Sequence, residues 1–218
     1  MKITKFAQSS VMIETNDTKI LVDPGYLSSE TEIEQMIGID YVFVTHKHGD
    51  HFNEDIYNKI KKETTKVYST NEVATSNPGT QFEILKETDN LTFESFKVKV
   101  VKAVHGYQPF LTTNNAEINE NVGYIFEIEN KKLYFTSDSI SFKNNYHCDI
   151  LFVPTCNHGL VMDPFSAAQF AKATNTNLII PIHNDNPKYL GDLEKIKEEF
   201  DKIKIEYAIL EKSQSIEI

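Results

Sequence analysis

The sequence predicts an α+β fold in which two β-sheets pack face to face and helices cover the outside. Short apolar runs rich in valine, isoleucine and phenylalanine read as strands, and capped or amphipathic stretches between them read as helices. Both kinds of segment occur near each end of the chain, which is the pattern of such a layered fold. No Pro/Gly/Ser-rich linker interrupts the 218 residues, so we expect one domain spanning 1–218.

The predicted strands alternate with helices near both ends of the chain and follow one another in the middle. The predicted strands are Val11–Ile13, Lys19–Val22, Tyr41–Val44, several between Gln81 and Val104, Gly123–Ile128, Lys132–Phe135, Ile150–Val153, Leu178–Ile180 and Ile205–Leu210. Asn53 is expected to cap a helix that runs to about Lys62, and Asp163 one that runs to about Thr174. A third helix covers Leu193–Ile203, where apolar residues recur at 3,4,3 spacing. A helix between sequential strands allows those strands to pair in parallel.

Charge and composition narrow the class of partner. The formal net charge is -10, and no basic stripe interrupts it, so nucleic acid is not an expected partner. No run of 18 apolar residues predicts a membrane span. The two cysteines, Cys148 and Cys156, form no C-x-x-C pair, and we expect thiols in a reducing cytoplasm. A small-molecule substrate is the remaining expectation, and a homo-oligomer stays open.

The strongest chemical signal is the segment His46-Lys47-His48-Gly49-Asp50-His51, directly after the apolar run Tyr41–Val44. It holds three of the seven histidines and an aspartate within six positions. Imidazole and carboxylate are zinc ligands, and a cation satisfies such groups at the end of a buried strand. His46 and His48 can reach one cation if the turn stays extended, and Asp50 and His51 a second. An exposed polar loop is the less favoured alternative.

Further candidate ligands follow other predicted strands. His105, Asp138 and His183 each come after an apolar run, where loops collect functional residues. Taken singly, each is more typical of a capped or satisfied side chain, but together with the His46–His51 segment they indicate a metal site. Asp23, before Pro24-Gly25, reads equally well as a turn residue or as a carboxylate that orients a ligating histidine.

The H-x-H-x-D-H segment resembles the hallmark of the metallo-β-lactamase superfamily, and the distal candidates follow in that family's order. Val153–Pro164 and Ile180–His183 resemble its small single-domain branch related to ascorbate-6-phosphate lactonase. The resemblance implies a four-layer αββα sandwich. It also implies the following ligands: His46, His48 and His105 for a first metal, Asp50, His51 and His183 for a second, and Asp138 bridging both. Ser137 stands where the family usually has glycine, which puts the geometry of that turn in question.

This resemblance implies a metal-dependent hydrolase. Two divalent cations, zinc by expectation with manganese or iron as alternatives, would activate a hydroxide that attacks a small ester, lactone or phosphorylated metabolite. Asp50 and Asp138 are the expected catalytic carboxylates. The alternatives are a phosphodiesterase or nuclease, iron-based redox chemistry and a non-catalytic metal-binding module.

Other residues outside the motif are candidates for substrate contact or for structural roles. His158, between a predicted strand and a capped helix, is an equal candidate for substrate contact or for structure, while His147 is favoured as structural. The long polar stretch 106–121 reads equally as a flap or as a surface loop. Tyr107, with Pro109 and Phe110, is expected to line the pocket.

Overall fold

Two seven-stranded sheets, each with its own helices, account for most of the chain that the structure describes. The structure is a computed structural model that describes residues 1–15, 17–108 and 117–218. Its backbone divides into two units: unit 1 comprises Met1–Lys86 with Leu210–Ile218, and unit 2 comprises Glu87–Ile209. The interpretation of residues 1–218 as one domain stays a prediction.

Unit 1 holds the first sheet, in the order β16-β1-β2-β3-β4-β5-β6. Its elements are β1 (Lys2–Lys5), β2 (Val11–Glu14), β3 (Lys19–Val22), α1 (Glu30–Met36), β4 (Ile39–Phe43), α2 (Glu54–Ile60), β5 (Lys61–Ser69), α3 (Asn71–Ser76), β6 (Glu83–Ile84) and β16 (Ser215–Glu217). Strands β16 to β3 pair antiparallel, whereas β3 to β6 pair in parallel. The helices α1 and α2 supply the crossovers that parallel pairing requires.

The helices of unit 1 begin where the side chains supply caps. Asn53 accepts from the Ile56 N–H, as expected for the start of α2. Ser29 and Glu32 form a capping box at α1, and Glu32 also accepts from the Ala7 N–H at 2.7 Å. Helix α2 ends at Ile60, two residues before the predicted end near Lys62, because the chain is already extended at Lys61, where β5 begins.

Unit 2 holds the second sheet, in the order β15-β12-β11-β10-β9-β8-β7. Its elements are β7 (Asn90–Thr92), β8 (Phe96–Lys102), β9 (Val122–Ile128), β10 (Lys131–Phe135), β11 (Ile150–Pro154), α4 (Pro164–Thr174), β12 (Leu178–Ile182), β13 (Asp185–Asn186), β14 (Tyr189–Leu190), α5 (Leu193–Ile203) and β15 (Glu206–Tyr207). Strands β7 to β10 pair antiparallel, and β10, β11, β12 and β15 pair in parallel. The hairpin of β13 and β14 stands outside this sheet.

Each unit has its own apolar core beneath its helices. In unit 1, α1 and α2 bury Ile33 and Ile56 in a cluster with strand residues such as Val42. In unit 2, Phe170 of α4 and Phe200 of α5 belong to a second cluster. Complete burial of a phenylalanine or isoleucine side chain contributes about 1.5–3 kcal/mol. The strands are therefore held in fixed register by their packing, which fixes where their ends lie.

Parallel pairing brings the ends of neighbouring strands to one edge of each sheet. In unit 1, β3 and β4 end next to each other, and Asp23 and Thr45 follow them. In unit 2, β10, β11 and β12 end together, and Asp138, Cys156 and His183 follow them. Polar side chains are thus gathered at one edge of each sheet. Within the described residues no helix is long and apolar enough to cross a membrane.

Candidate metal centre

Asp23 is the hub of the polar cluster in unit 1. Its backbone adopts a left-handed φ of 52°, which turns its buried carboxylate sharply off the end of β3. One oxygen accepts from the Thr45 N–H at 2.8 Å. The other accepts from the Thr45 hydroxyl at 2.9 Å and lies 2.7 Å from Nδ1 of His51. Asp23 is therefore both a turn residue and a partner of a histidine, the two interpretations that its sequence context left open.

Electrostatics at Asp23 favour a cation nearby. Burial raises the pKa of the Asp23 carboxyl above its ordinary value, while His51 and the hydrogen bonds from Thr45 oppose that rise. A nearby positive charge stabilises the ionised form of a buried carboxylate. With Asp23 ionised, Nδ1 of His51 donates to it, and the lone pair of that imidazole lies on Nε2, which is the arrangement of a metal-ligating histidine.

Thr45 extends the same control to His46. Its hydroxyl donates to Asp23 and lies 3.0 Å from Nδ1 of His46, so it accepts the Nδ1 proton of that ring. The lone pair on Nε2 of His46 then points toward Nδ1 of His48, 3.1 Å away. Two nitrogens bound to one tetrahedral zinc at 2.0–2.1 Å lie about 3.3 Å apart. The separation of the two nitrogens is thus close to that of two ligands on one cation, and their binding of one cation stays a prediction.

Asp50 is held by two features of unit 1 that the sequence did not reveal. Gln8, fully buried with a φ of 59°, donates from Nε2 to Oδ2 of Asp50 at 2.9 Å. A Cβ at Gly25 would lie 1.8 Å from the carbonyl oxygen of Asp50, so only glycine lets these two turns approach. Gln8 holds one oxygen of the Asp50 carboxylate and so limits the rotation of that group.

Unit 2 gathers the other predicted ligands around Asp138. Its Oδ2 lies 3.1 Å from Nε2 of His183 and 4.0 Å from Nε2 of His105, and all three side chains are almost fully buried. Nδ1 of His105 lies 2.7 Å from the carbonyl oxygen of Gly106. Because a carbonyl only accepts, Nδ1 carries the proton and the lone pair lies on Nε2, directed toward Asp138.

The turn before Asp138 explains why glycine is usual at its first position. Ser137 has a φ of 61°, in the left-handed region that glycine adopts without strain. Its hydroxyl donates to Oδ1 of Asn121 at 2.5 Å, and Nδ2 of Asn121 donates to the Asp138 carbonyl at 2.8 Å. Asn121 thus braces the serine-containing turn. No sequence motif marks Asn121.

The remaining candidates fall into two groups. The ring centroid of His158 lies 5.4 Å from that of His183 and 5.3 Å from that of Tyr189, so His158 is near the ligands of unit 2. Tyr107 is 63% exposed, and its role in substrate binding stays a prediction. The residues predicted with it, Pro109 and Phe110, lie outside the described residues, as does Asn16 of the predicted turn before β3.

Cys156 was not among the predicted site residues. Burial raises the pKa of its thiol, but hydrogen bonds and charge interactions with His158 and His183 outweigh that effect and bring it to about 6. By contrast, burial among apolar side chains raises the pKa of the Cys148 thiol to about 11. The two cysteines therefore differ in chemistry, because only Cys156 has a lowered thiol pKa and neighbouring imidazoles.

The chain matches known proteins over most of its length. The model of the family described as "Beta-lactamase superfamily domain" matches residues 2–183. A UPF0173 metal-dependent hydrolase of Anoxybacillus flavithermus is 29% identical over 201 residues, which cover 84% of this chain and 85% of that protein. Igni18, a metallo hydrolase of the archaeon Ignicoccus hospitalis, superposes with a TM-score of 0.79 at 18% identity, covering 99% of this chain and 97% of that one.

A further solved structure names the fold. The metallo-beta-lactamase fold protein YhfI from Bacillus subtilis superposes with a TM-score of 0.74 at 16% identity and covers 99% of both chains. The predicted fold class, the α+β metallo-β-lactamase fold, is thereby confirmed. On the family match and this shared fold, the chain belongs to the metallo-β-lactamase superfamily, in its branch of small metal-dependent hydrolases.

Proposed function

We propose that the protein is a metal-dependent hydrolase that uses two divalent cations, zinc by preference. Following the pattern of the family, His46, His48 and His105 would hold the first cation, and Asp50, His51 and His183 would hold the second. Asp138 would be a ligand shared by both. The proposal rests mainly on hydrogen bonds within each unit that fix which ring nitrogen of a histidine carries the proton. Three histidines have their Nδ1 protons held by Asp23, Thr45 and the Gly106 carbonyl, which leaves Nε2 for a metal.

The donor set fits a cation on chemical grounds. Asp138, a buried carboxylate, has two imidazoles as neighbours in unit 2, and neutral imidazoles do not neutralise its charge. The same pattern recurs in unit 1, where Asp23 is buried beside His51. Clustered imidazole and carboxylate groups at strand ends are typical ligands for zinc, and manganese or iron(II) are compatible with several of them.

Bound divalent cations would supply a nucleophile at neutral pH by lowering the pKa of water from 15.7 to about 7. The chain's residues contribute orientation. Gln8 donates to Oδ2 of Asp50 and so restrains the carboxylate that would help to hold the second cation. Asn121 fixes the backbone of Asp138 and thereby the direction of its carboxylate. His158, beside His183, is placed to donate a hydrogen bond to a substrate.

The substrate class we propose is a small ester, lactone or phosphorylated metabolite. The net charge of -10 opposes binding of long nucleic-acid backbones, which makes a nuclease the weaker alternative. Both cysteines are thiols, which suits a reducing compartment such as the cytoplasm.

The decisive experiment combines metal analysis with a hydrolysis screen. Full-length protein purified without added metal is expected to contain about two equivalents of divalent metal and to hydrolyse a lactone, ester or phosphodiester in a chelator-sensitive manner. Asp138→Asn should lower both metal content and turnover by at least tenfold, because it removes the bridging charge.

His147→Ala is the matched control, since His147 is an exposed histidine of unit 2 outside the proposed set. It should retain wild-type metal content and turnover. Protein without metal and without turnover would instead support the non-catalytic alternative, and full activity of Asp138→Asn would refute the bridging role. Iron with redox activity would move the assignment to oxidative chemistry.

A further inference from the structure

Two potential ligands in unit 2, Cys156 and His158, stand beside His183 but are not among the proposed ligands of the two hydrolytic cations. They follow β11, whereas His183 follows β12, and these two strands pair in parallel with Pro154 opposite Ile182. The Thr155 N–H donates to the Ile182 carbonyl at 3.1 Å, so the pairing continues one step past the strand ends. The sheet therefore delivers the three side chains to the same edge.

The three side chains converge closely. The Cys156 sulfur and one ring nitrogen each of His158 and His183 all lie within 4.8 Å of one another. Cys156 is 1% exposed and His183 is 3% exposed, while His158 is half-buried and forms the open side of the group. The rings of His158 and His183 meet edge to face. A thiol and two imidazoles at this spacing make a donor set rather than a packed apolar contact.

The hairpin of β13 and β14 covers this group. The Cys156 thiol donates to the Tyr189 carbonyl at 3.2 Å, and the Tyr189 ring packs against His158. At the end of the hairpin a Cβ on Gly191 would lie 2.8 Å from Cβ of Asn184 and 3.1 Å from the Thr155 carbonyl oxygen. Glycine thus allows the hairpin to close against the strand ends, which shields the thiol from solvent.

We propose that Cys156, His158 and His183 form a second kind of cation site, with one sulfur and two nitrogen ligands, that takes a thiophilic divalent metal such as Cd²⁺, Co²⁺ or excess Zn²⁺. Thiolate and imidazole are both zinc ligands, and a zinc site with three protein ligands keeps a fourth position open. On binding, the Cys156 S–H bond breaks, its proton passes to solvent and a sulfur–metal bond forms, so the metal keeps its oxidation state.

Small movements complete the geometry. Ligands of a tetrahedral zinc with bonds of 2.0–2.3 Å lie about 3.3–3.8 Å apart. The three ligand atoms lie within 4.8 Å of one another, so the group closes by no more than roughly 1–1.5 Å on binding. The Leu160 N–H donates to Nδ1 of His158 at 3.2 Å, at the long end of the hydrogen-bond range. Ligation through Nε2 moves the ring proton to Nδ1 and gives up that hydrogen bond, which makes His158 the weakest of the three ligands.

The inference rests on the proposed function in one respect, because His183 belongs to both ligand sets. A thiophilic metal bound by Cys156 draws His183 out of the hydrolytic set. The new site is therefore inhibitory: Cd²⁺ should reduce turnover in the wild-type protein more strongly than in Cys156→Ser.

The test is the absorption spectrum of the full chain titrated with Co²⁺, which shows a charge-transfer band in the near-ultraviolet when a thiolate ligates it. The chain has no tryptophan, so the background in this region is low. We expect the band in the wild-type protein and in Cys148→Ser, and its loss in Cys156→Ser. His158→Ala should keep the band but require at least tenfold more Co²⁺.

Absence of the band from wild-type protein that binds Co²⁺ would overturn the inference, as would its persistence in Cys156→Ser. Neither result touches the proposed function, which is read from turnover and metal content. Conversely, a thiolate band in a protein without hydrolytic activity would refute the proposed function and leave the sulfur-containing site standing.

Discussion

Replacing Asp23 with asparagine changes the charge at the hub of unit 1 with little change in shape. Asparagine tolerates the left-handed backbone that Asp23 adopts at φ 52°, so the turn should survive. The amide oxygen can still accept from the Thr45 N–H. The amide nitrogen then faces Nδ1 of His51 and donates to it. The opposite amide orientation would set two donors against each other at Thr45 and is disfavoured.

The consequence falls on the other nitrogen of His51. When Nδ1 accepts a hydrogen bond, the ring proton moves to Nε2, the nitrogen proposed to bind metal. Losing such an orienting partner typically lowers metal affinity 10- to 100-fold, or about 1.4–2.8 kcal/mol. The folding stability of the metal-free protein should change by no more than about 1 kcal/mol. Burial raises the pKa of Asp23, so its ionised form lowers stability at pH values above its ordinary pKa, and the neutral amide removes that penalty.

The assay is a competition titration of Zn²⁺ against a chromophoric chelator, with urea unfolding of the metal-free protein alongside. Asp55→Asn is the matched control, because Asp55 is an exposed aspartate of unit 1 in the first turn of α2. Zinc affinity of Asp23→Asn within threefold of wild type, with an intact fold, would refute the argument from the ring proton. A large loss of metal-free stability would show instead that Asp23 acts mainly as a structural hydrogen-bond acceptor.

Three further predictions concern the turns and the metal. Gly25→Ala should lower the free energy of unfolding by about 3 kcal/mol, because the new Cβ meets backbone at Asp50 that cannot yield; an unchanged urea midpoint would contradict this. The Ser137→Gly protein should have a free energy of unfolding about 1 kcal/mol higher than the Ser137→Ala protein. Both variants lose the hydrogen bond to Asn121, but only glycine adopts a φ of 61° without strain. Equal urea midpoints of the two variants would contradict this. Chelation should lower the melting temperature by about 5–10 °C, as expected for loss of a ligand present at 100 times its Kd, and scanning calorimetry with and without zinc checks it.

The sequence predicts the strands of this fold well where hydrophobicity alone decides the matter. The run that contains β11 is apolar throughout, and all five of its residues are buried. Strand β5 was missed, because its first half carries exposed lysines and glutamate and resembles the end of a helix. Strand β1 is likewise half polar in sequence, and its buried Lys5 gives no strand signal. Pairing with neighbouring strands, which is not a local property, decides these segments.

The candidate site likewise contains residues that the local sequence reveals and residues that only contacts between distant segments reveal. The His46–His51 segment is visible because ligands crowd into six positions. Gln8 and Asn121 were missed, since each acts on an aspartate 42 or 17 positions away through contacts that only the folded chain creates. Cys156 carries no signal in the sequence, because only the pairing of β11 with β12 places it beside His183.

The way in which the ring protons are held has a genetic consequence. His105 relies on a backbone carbonyl, which no single codon change can remove. His46 and His51 both depend on the carboxylate of Asp23, directly or through the Thr45 hydroxyl. In the proposed assignment these two histidines serve different cations, so one missense mutation at position 23 would loosen both cations together. Inactivating mutations are therefore expected at this residue as well as at the proposed ligands, although it is not itself a proposed ligand.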